Sequence, residues 1–222
     1  MRFPPSEMLF LAVDTSGRQG GITLARGSGK EVEIIESTSI QGGTFSAELI
    51  PQIGSVLSTH GFTPQQLHGL VAVTGPGSFT GLRVGLTAIK GLAEVLKIPI
   101  AALTSLEVLI AASAIQTGAM AVFDAGRGEV YAAIQEEPRE QRLLSLAEAI
   151  ETVRARSLQV VAAEASIAAK FEHAQLVTYR STEIAAKLGL RKLLGGEIVD
   201  VLALDANYIR RSDAEYMQRM KK

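Results

Sequence analysis

The chain has 222 residues, 47% hydrophobic and 20% charged, with 22 Lys plus Arg against 23 Asp plus Glu for a formal net charge of −1. That apolar content can bury a sizeable core in one large or two small domains, and the balanced charge argues against a strong nucleic-acid footprint on this chain by itself. The absence of cysteine excludes disulfides, thiolate metal sites and cysteine nucleophiles, and suits a reducing compartment.

Pro4 and Pro5 mark a short extension before the apolar run Met8 to Val13, which ends at Asp14. The run is too short for a membrane span and lacks a signal-peptide pattern, so it reads as the buried first strand of a cytoplasmic protein. Gly21 to Ala25 and Glu31 to Glu36 read as further strands, with Gly17, Gly20, Gly27 and Gly29 as turn residues between them. The spacing of Leu49, Ile50, Ile53, Val56 and Leu57 predicts a helix from about Thr44 to Thr59. Leu70 to Val73 reads as a buried strand. A glycine-rich turn and a long helix follow, from about Ser78 to Lys97, and Ile98-Pro99 ends that helix because proline disfavours helix at the residue before it.

The second half begins again. A helix near Ser105 to Ile115 leads to two strands, Ala119 to Phe123 and Val130 to Gln135, joined by Asp124-Ala125-Gly126-Arg127-Gly128. The first half has Val13-Asp14-Thr15-Ser16-Gly17 before its second strand. This echo of strand, aspartate, glycine-containing turn and strand suggests two related α/β halves, residues 1–104 and 105–222, with a last helix packing back on the first. From Pro138 to about Leu194 alanine-rich helical segments alternate with the short apolar run Leu158 to Ala162.

The stretch Thr74-Gly75-Pro76-Gly77-Ser78-Phe79-Thr80-Gly81-Leu82-Arg83 follows a strand and opens a helix, a place where backbone N–H groups can bind phosphate. A P-loop would require Gly-Lys-Ser/Thr where this turn has Gly81-Leu82-Arg83. Gly75, Gly77 and Gly81 form a variant of the dinucleotide fingerprint. The next strand, near Ile100 to Leu103, ends in Thr104-Ser105 without the acidic residue that would hold a ribose. Phosphate binding and a tight turn that only packs strand on helix both stay open.

The helix behind the turn carries a second signal. At about 100° per residue, Thr80, Arg83, Thr87, Lys90, Glu94 and Lys97 fall in one wedge, and every other position from Gly81 to Leu96 is apolar or glycine. An ordinary surface helix hides a stripe of a little over about 100°, and this one has about twice that to hide. Leu82, Leu86, Ile89, Ala93 and Leu96 make a bulky part of the arc, while Gly81, Val84, Gly85, Ala88 and Gly91 make a mostly small part. Two readings fit: a helix sandwiched inside its own domain, or one packed on its sheet on one side and on a second chain on the other. In the second reading the interface comprises Gly81, Val84, Gly85, Ala88 and Gly91 with Phe45, Leu49, Ile53 and Val56 of the neighbouring helix.

The run Gly75 to Arg83 with Gly85, Lys90-Gly91-Leu92-Ala93 and Ser105-Leu106 resembles the signature of the TsaB (YeaZ) family. Val13 to Ser16 resembles the family's first strand, Asp124-Ala125 with Gly128-Glu129-Val130-Tyr131 its second-domain hairpin, and Tyr208-Ile209-Arg210 its C-terminal motif. The resemblance implies a two-domain actin/Hsp70-like (ASKHA, ribonuclease H-like) α/β fold. It also implies a non-catalytic subunit that supports a TsaD-type transferase in threonylcarbamoylation of N6 of adenosine 37 in tRNA, together with a TsaE-type ATPase. Homodimers of the lone protein, built on the two first-domain helices that TsaD also uses, are implied too, as is indirect contact with tRNA through the complex. No intrinsic cofactor is implied, and ATP or ADP with Mg belongs at the complex interface. The chain departs from the family with Phe45-Ser46 in place of His-Ser and Asn207 in place of a proline before the tyrosine.

The competing reading is an independent ATP-dependent kinase or hydrolase of the same fold, with Asp14, Thr15, Ser16, Gly75, Gly77 and Asp124 as candidate nucleotide or phosphate residues. Against it, both aspartates also suit strand-end turns, and no catalytic carboxylate stands out between the halves. A peptidase is unsupported, with no HExxH, no cysteine and no Gly-x-Ser-x-Gly elbow. His60, His68 and His173 show no metal-ligand spacing, so no metal site is expected.

Overall fold

The computed structural model describes residues 7–136, 140–178 and 181–210. The first strand, β1 (Met8–Asp14), is buried along its whole length. Successive strand side chains point to opposite faces, and here both faces are apolar. Leu9, Leu11 and Val13 join one core cluster, and Met8, Phe10 and Ala12 another. A strand of this kind belongs in the middle of a sheet covered on both sides.

β1 pairs antiparallel with β2 (Gln19–Ser28), which pairs antiparallel with β3 (Glu31–Gln41). After α1 (Phe45–Thr59), β4 (Gly69–Val73) joins β1 in parallel, and after α2 (Phe79–Leu96), β5 (Ile100–Leu103) joins β4 in parallel. The sheet order is β3-β2-β1-β4-β5. β3 runs five residues past the predicted Glu36, because Ser37, Thr38 and Ser39 continue the ladder with Thr23, Ile22 and Gly21.

α3 (Ser105–Ala112) leads to a second sheet of β6 (Ala119–Gly126), β7 (Glu129–Ile134), β8 (Arg142–Ser145), β9 (Gln159–Ala162) and β10 (Ala174–Leu176). Its order, β10-β9-β6-β7-β8, reproduces the first sheet strand for strand. The helices match as well, with α4 (Leu146–Arg156) at the place of α1 and α5 (Ala165–Ala168) at the place of α2. β8 and β10, four and three residues long, lay outside the sequence reading because neither is the unbroken apolar run that marks the equally short β5.

The helix that ends each repeat crosses between the halves. α6 (Ser181–Gly195) follows the second sheet but buries Ala185, Ala186, Leu190 and Leu193 against Phe10 and Val71 of the first. Gly189 permits this approach, since a Cβ there would lie 2.3 Å from Val71 Cγ2. α3 packs Leu106 and Leu109 on Ala121 and Val161 of the second sheet, while its Val108 joins the cluster under α6. α1 and α2 cover the other face of the first sheet.

Candidate functional site: an interdomain cleft and the helix pair beside it

At the end of β1 the Asp14 carboxylate turns back on its own chain. Its Oδ1 accepts the Ser16 N–H at 2.9 Å and the Ser16 hydroxyl at 2.6 Å, and the residue is 5% exposed. This is an Asx turn, the local geometry that aspartate favours because its short side chain reaches an amide two residues on. The turn also holds the start of α2. The Thr15 hydroxyl donates to the Gly81 carbonyl at 2.7 Å, and the Ser16 carbonyl accepts the Ser78 N–H at 2.6 Å. Ser78 caps α2 by accepting the Gly81 N–H at 3.3 Å.

Backbone lies on backbone here. A Cβ at Gly81 would sit 2.1 Å from the Thr15 carbonyl oxygen, one at Gly85 2.2 Å from Thr15 Oγ1, and one at Gly77 2.2 Å from the Ser16 carbonyl oxygen. The glycines of the signature therefore make room for the chain's own β1–β2 turn.

A cleft of about 800 Å³ opens between the halves at this point. Ser16, Arg18, Gly77, Thr80 and Val84 line one wall, and Phe123, Asp124, Tyr131 and Glu164 the other. Of the six candidate nucleotide residues, Ser16, Gly77 and Asp124 reach the cleft. Asp14 and Thr15 are buried behind it, and Gly75, at φ +100°, is buried where a Cβ would meet Leu82 Cδ1 at 2.8 Å.

Asp124 repeats the Asp14 turn, accepting the Gly126 N–H at 2.7 Å. Partial burial and the neighbouring Asp124 push the Glu164 carboxyl above the usual carboxylate range, with Arg18 across the cleft acting in the opposite sense. Both aspartates use one oxygen for a turn bond, but Asp14 is buried behind the cleft, so of the two only Asp124 lines it. Among the described residues no three His, Cys, Asp or Glu side chains converge as a metal cage. His68 Nδ1 accepts the Leu9 N–H at 3.0 Å, His60 pairs with Glu36 at 2.7 Å, and His173 is exposed.

Arg18 and Glu164 were missed from the sequence. Glu164 lies two residues past β9, as Gly75 lies two past β4. That correspondence is readable only once the full repeat is known.

The helix pair α1–α2 divides the residues assigned to an interface. Phe45, Leu49, Ile53 and Val56 are each at most 4% exposed and sit in the chain's own core, and Gly81 and Gly85 are buried against Thr15. The two-chain reading placed all six on the partner side, whereas the sandwiched reading kept them inside. Periodicity gives the width of an apolar arc but not which chain fills it; here the chain's own core takes the four α1 residues and the β1–β2 turn takes Gly81 and Gly85. Val84 and Ala88 are half-buried at the edge of the same core, and Gly91 faces open space. Beside them Ile50 of α1 is 55% exposed and Val95 of α2 is 80% exposed, while Gly54 faces open space.

Residues 38–183 match the family model described as "TsaD: tRNA N6-adenosine threonylcarbamoyltransferase". The TsaB protein of Bacillus subtilis is 40% identical over 125 residues, 56% of this chain and 53% of that protein. The TsaB protein of Escherichia coli is 33% identical over 86 residues, 37% of each chain. The chain belongs to this family, among its TsaB/YeaZ-type members.

In sequence it spans about half the length of the Bacillus relative, and less of the Escherichia one. The solved YeaZ structure from Pseudomonas aeruginosa superposes with a TM-score of 0.70 over 90% of this chain and 99% of that one, at 20% identity. The fold is thus the TsaB/YeaZ-type α/β fold with two five-stranded sheets, in the actin/Hsp70-like class expected from the sequence. Among the described residues no helix is long and apolar enough to cross a membrane.

Proposed function

We propose that this chain is a non-catalytic partner subunit in the formation of N6-threonylcarbamoyladenosine in tRNA, and that its α1–α2 face binds the catalytic chain. The relatives it matches are named tRNA threonylcarbamoyladenosine biosynthesis proteins. The observation that carries the partner role is the outer surface of α1 and α2. Ile50, Gly54, Gly91 and Val95 stand there, apolar or small, with Val84 and Ala88 half-buried between them. Small residues let another helix approach closely, and exposed Ile and Val supply area to bury. A TsaD-type transferase fits this face, a second copy of the chain fits it when the transferase is lacking, and a TsaE-type ATPase completes the assembly. ATP or ADP with Mg, and tRNA, are then handled by the complex.

Ile50→Glu places a charge on this face at an exposed position, so folding is retained. We expect loss of co-purification with a TsaD-type protein and a fall in threonylcarbamoyladenosine measured by mass spectrometry of tRNA nucleosides. An unchanged nucleoside level after depletion of the chain overturns the pathway, and retained association of Ile50→Glu overturns the surface.

The second reading, an independent ATP-dependent kinase or hydrolase, is favoured by the cleft, where Asp124 and Glu164 face Arg18. Robust ATP turnover by the purified chain without a partner would decide for it.

A further inference from the structure

The segment after α6 touches both halves. Val199 pairs with Ile100 at the edge of the first sheet, its N–H reaching the Ile100 carbonyl at 2.9 Å. Leu204, 2% exposed, is buried in the core under α1 and α2. From there the chain passes from the first half to the second. The Asn207 N–H donates to the Thr74 carbonyl at 2.8 Å, at the start of the glycine-rich turn, while its side-chain amide donates to Gln141 Oε1 at 2.5 Å, just before β8. The Tyr208 hydroxyl accepts the Arg83 Nε–H at 3.2 Å, and its ring lies 5.0 Å from that of Phe79, both at the start of α2. Ile209 packs into the core of the second sheet. Arg210 donates to the Ala125 carbonyl at 2.7 Å and pairs with Glu129, on the turn that carries Asp124 into the cleft.

The geometry points to a clamp: residues 204–210 fix the angle between the two halves and so set the aperture of the cleft. Three physical features carry this. Residues 207–210 are anchored to both halves within four residues, so a change in the angle between the halves must stretch at least one anchor. The anchors flank the cleft, since Ala125 lines it beside Asp124 and Thr74 begins the turn that brings Gly77 to it. The Arg210 ties are charge-assisted and so of the strong kind, from a guanidinium to a backbone carbonyl and to a carboxylate.

The chain's lack of cysteine makes a direct test simple. Gln41→Cys on the first cleft wall and Ser166→Cys on α5, two residues past Glu164, give exposed sites for a spin-label pair. The distance distribution is read by double electron–electron resonance, diluted in unlabelled protein to suppress signals between molecules. In the otherwise unchanged chain we expect one narrow distribution. Asn207→Ala with Arg210→Ala cuts the side-chain hydrogen bonds to the second half and spares Ile209 and the buried Leu204, and we expect a broader distribution extending to longer distances. Arg210→Lys, which keeps the charge opposite Glu129, should restore much of the narrow form.

A folded double variant with an unchanged distribution overturns the clamp, even if its melting temperature falls, because that is what a merely structural role predicts. Should the double variant not fold, Glu129→Gln removes one tie alone. Partial broadening then supports the clamp, and an unchanged width overturns it.

Discussion

Gly85 and Gly91 lie on the same helix and differ only in what a methyl group would meet. At Gly85 a Cβ falls 2.2 Å from Thr15 Oγ1, whereas at Gly91 nothing lies within 4 Å. Alanine is favoured over glycine in a helix interior by up to about 1 kcal/mol, and overpacking a core costs about 1–3 kcal/mol. We therefore expect Gly85→Ala to destabilise the chain and Gly91→Ala to stabilise it slightly, measured by urea unfolding of each. Equal effects would mean that α2 does not rest on the β1–β2 turn.

Glu164 gives a second test at this scale. An acid whose folded pKa lies above its unfolded value holds its proton more tightly when folded. Its ionisation costs stability at neutral pH, and that cost disappears as pH falls below the ordinary glutamate range. Glu164→Gln should thus melt higher than the parent at pH 7, with the two curves meeting in acid. A lower melting temperature for the variant at pH 7 would mean that attraction to Arg18 outweighs burial and Asp124. Asn207 shows how a single departure from a family pattern acquires meaning: proline has no N–H and could not make the backbone tie to Thr74 seen here, nor the side-chain tie to Gln141.

Among the elements, α3 has the clearest local cause. Thr104 and Glu107 form a capping box, with the Glu107 N–H on Thr104 Oγ1 at 3.1 Å and the Thr104 N–H on Glu107 Oε2 at 2.7 Å. Thr104→Ala should cost about 1 kcal/mol in chemical denaturation. Glu107 also meets Lys192 of α6 at 3.4 Å, so the cap reaches the helix that covers the first sheet. α2 shows the limit of reading one element by itself. Its start, its end before Ile98-Pro99 and its wide apolar arc were all legible in the sequence, because caps and periodicity are local. The division of that arc between Thr15, the core and an open face was not, because it depends on where a turn some 65 residues away comes to lie.

For the whole molecule, the sequence by itself determined the class of fold. The run Met8 to Val13 has no polar face and must be sandwiched, and the strand–aspartate–turn echo at Asp14 and Asp124 marks two halves of one design. The glycine-rich signature was enough to find the family. What only the tertiary structure decided was where each half ends in space and which residues meet. α6 follows the second sheet yet packs on the first, and α3 puts Leu106 and Leu109 on the second sheet while its Val108 joins the core under α6. Arg18 and Glu164 line one cleft only because the halves face each other at one angle. Residues 204–210, too short and irregular for any periodic signal, are placed to hold that angle. Periodicity and capping act within a few residues, whereas the cleft and its clamp arise from packing between surfaces far apart in the chain.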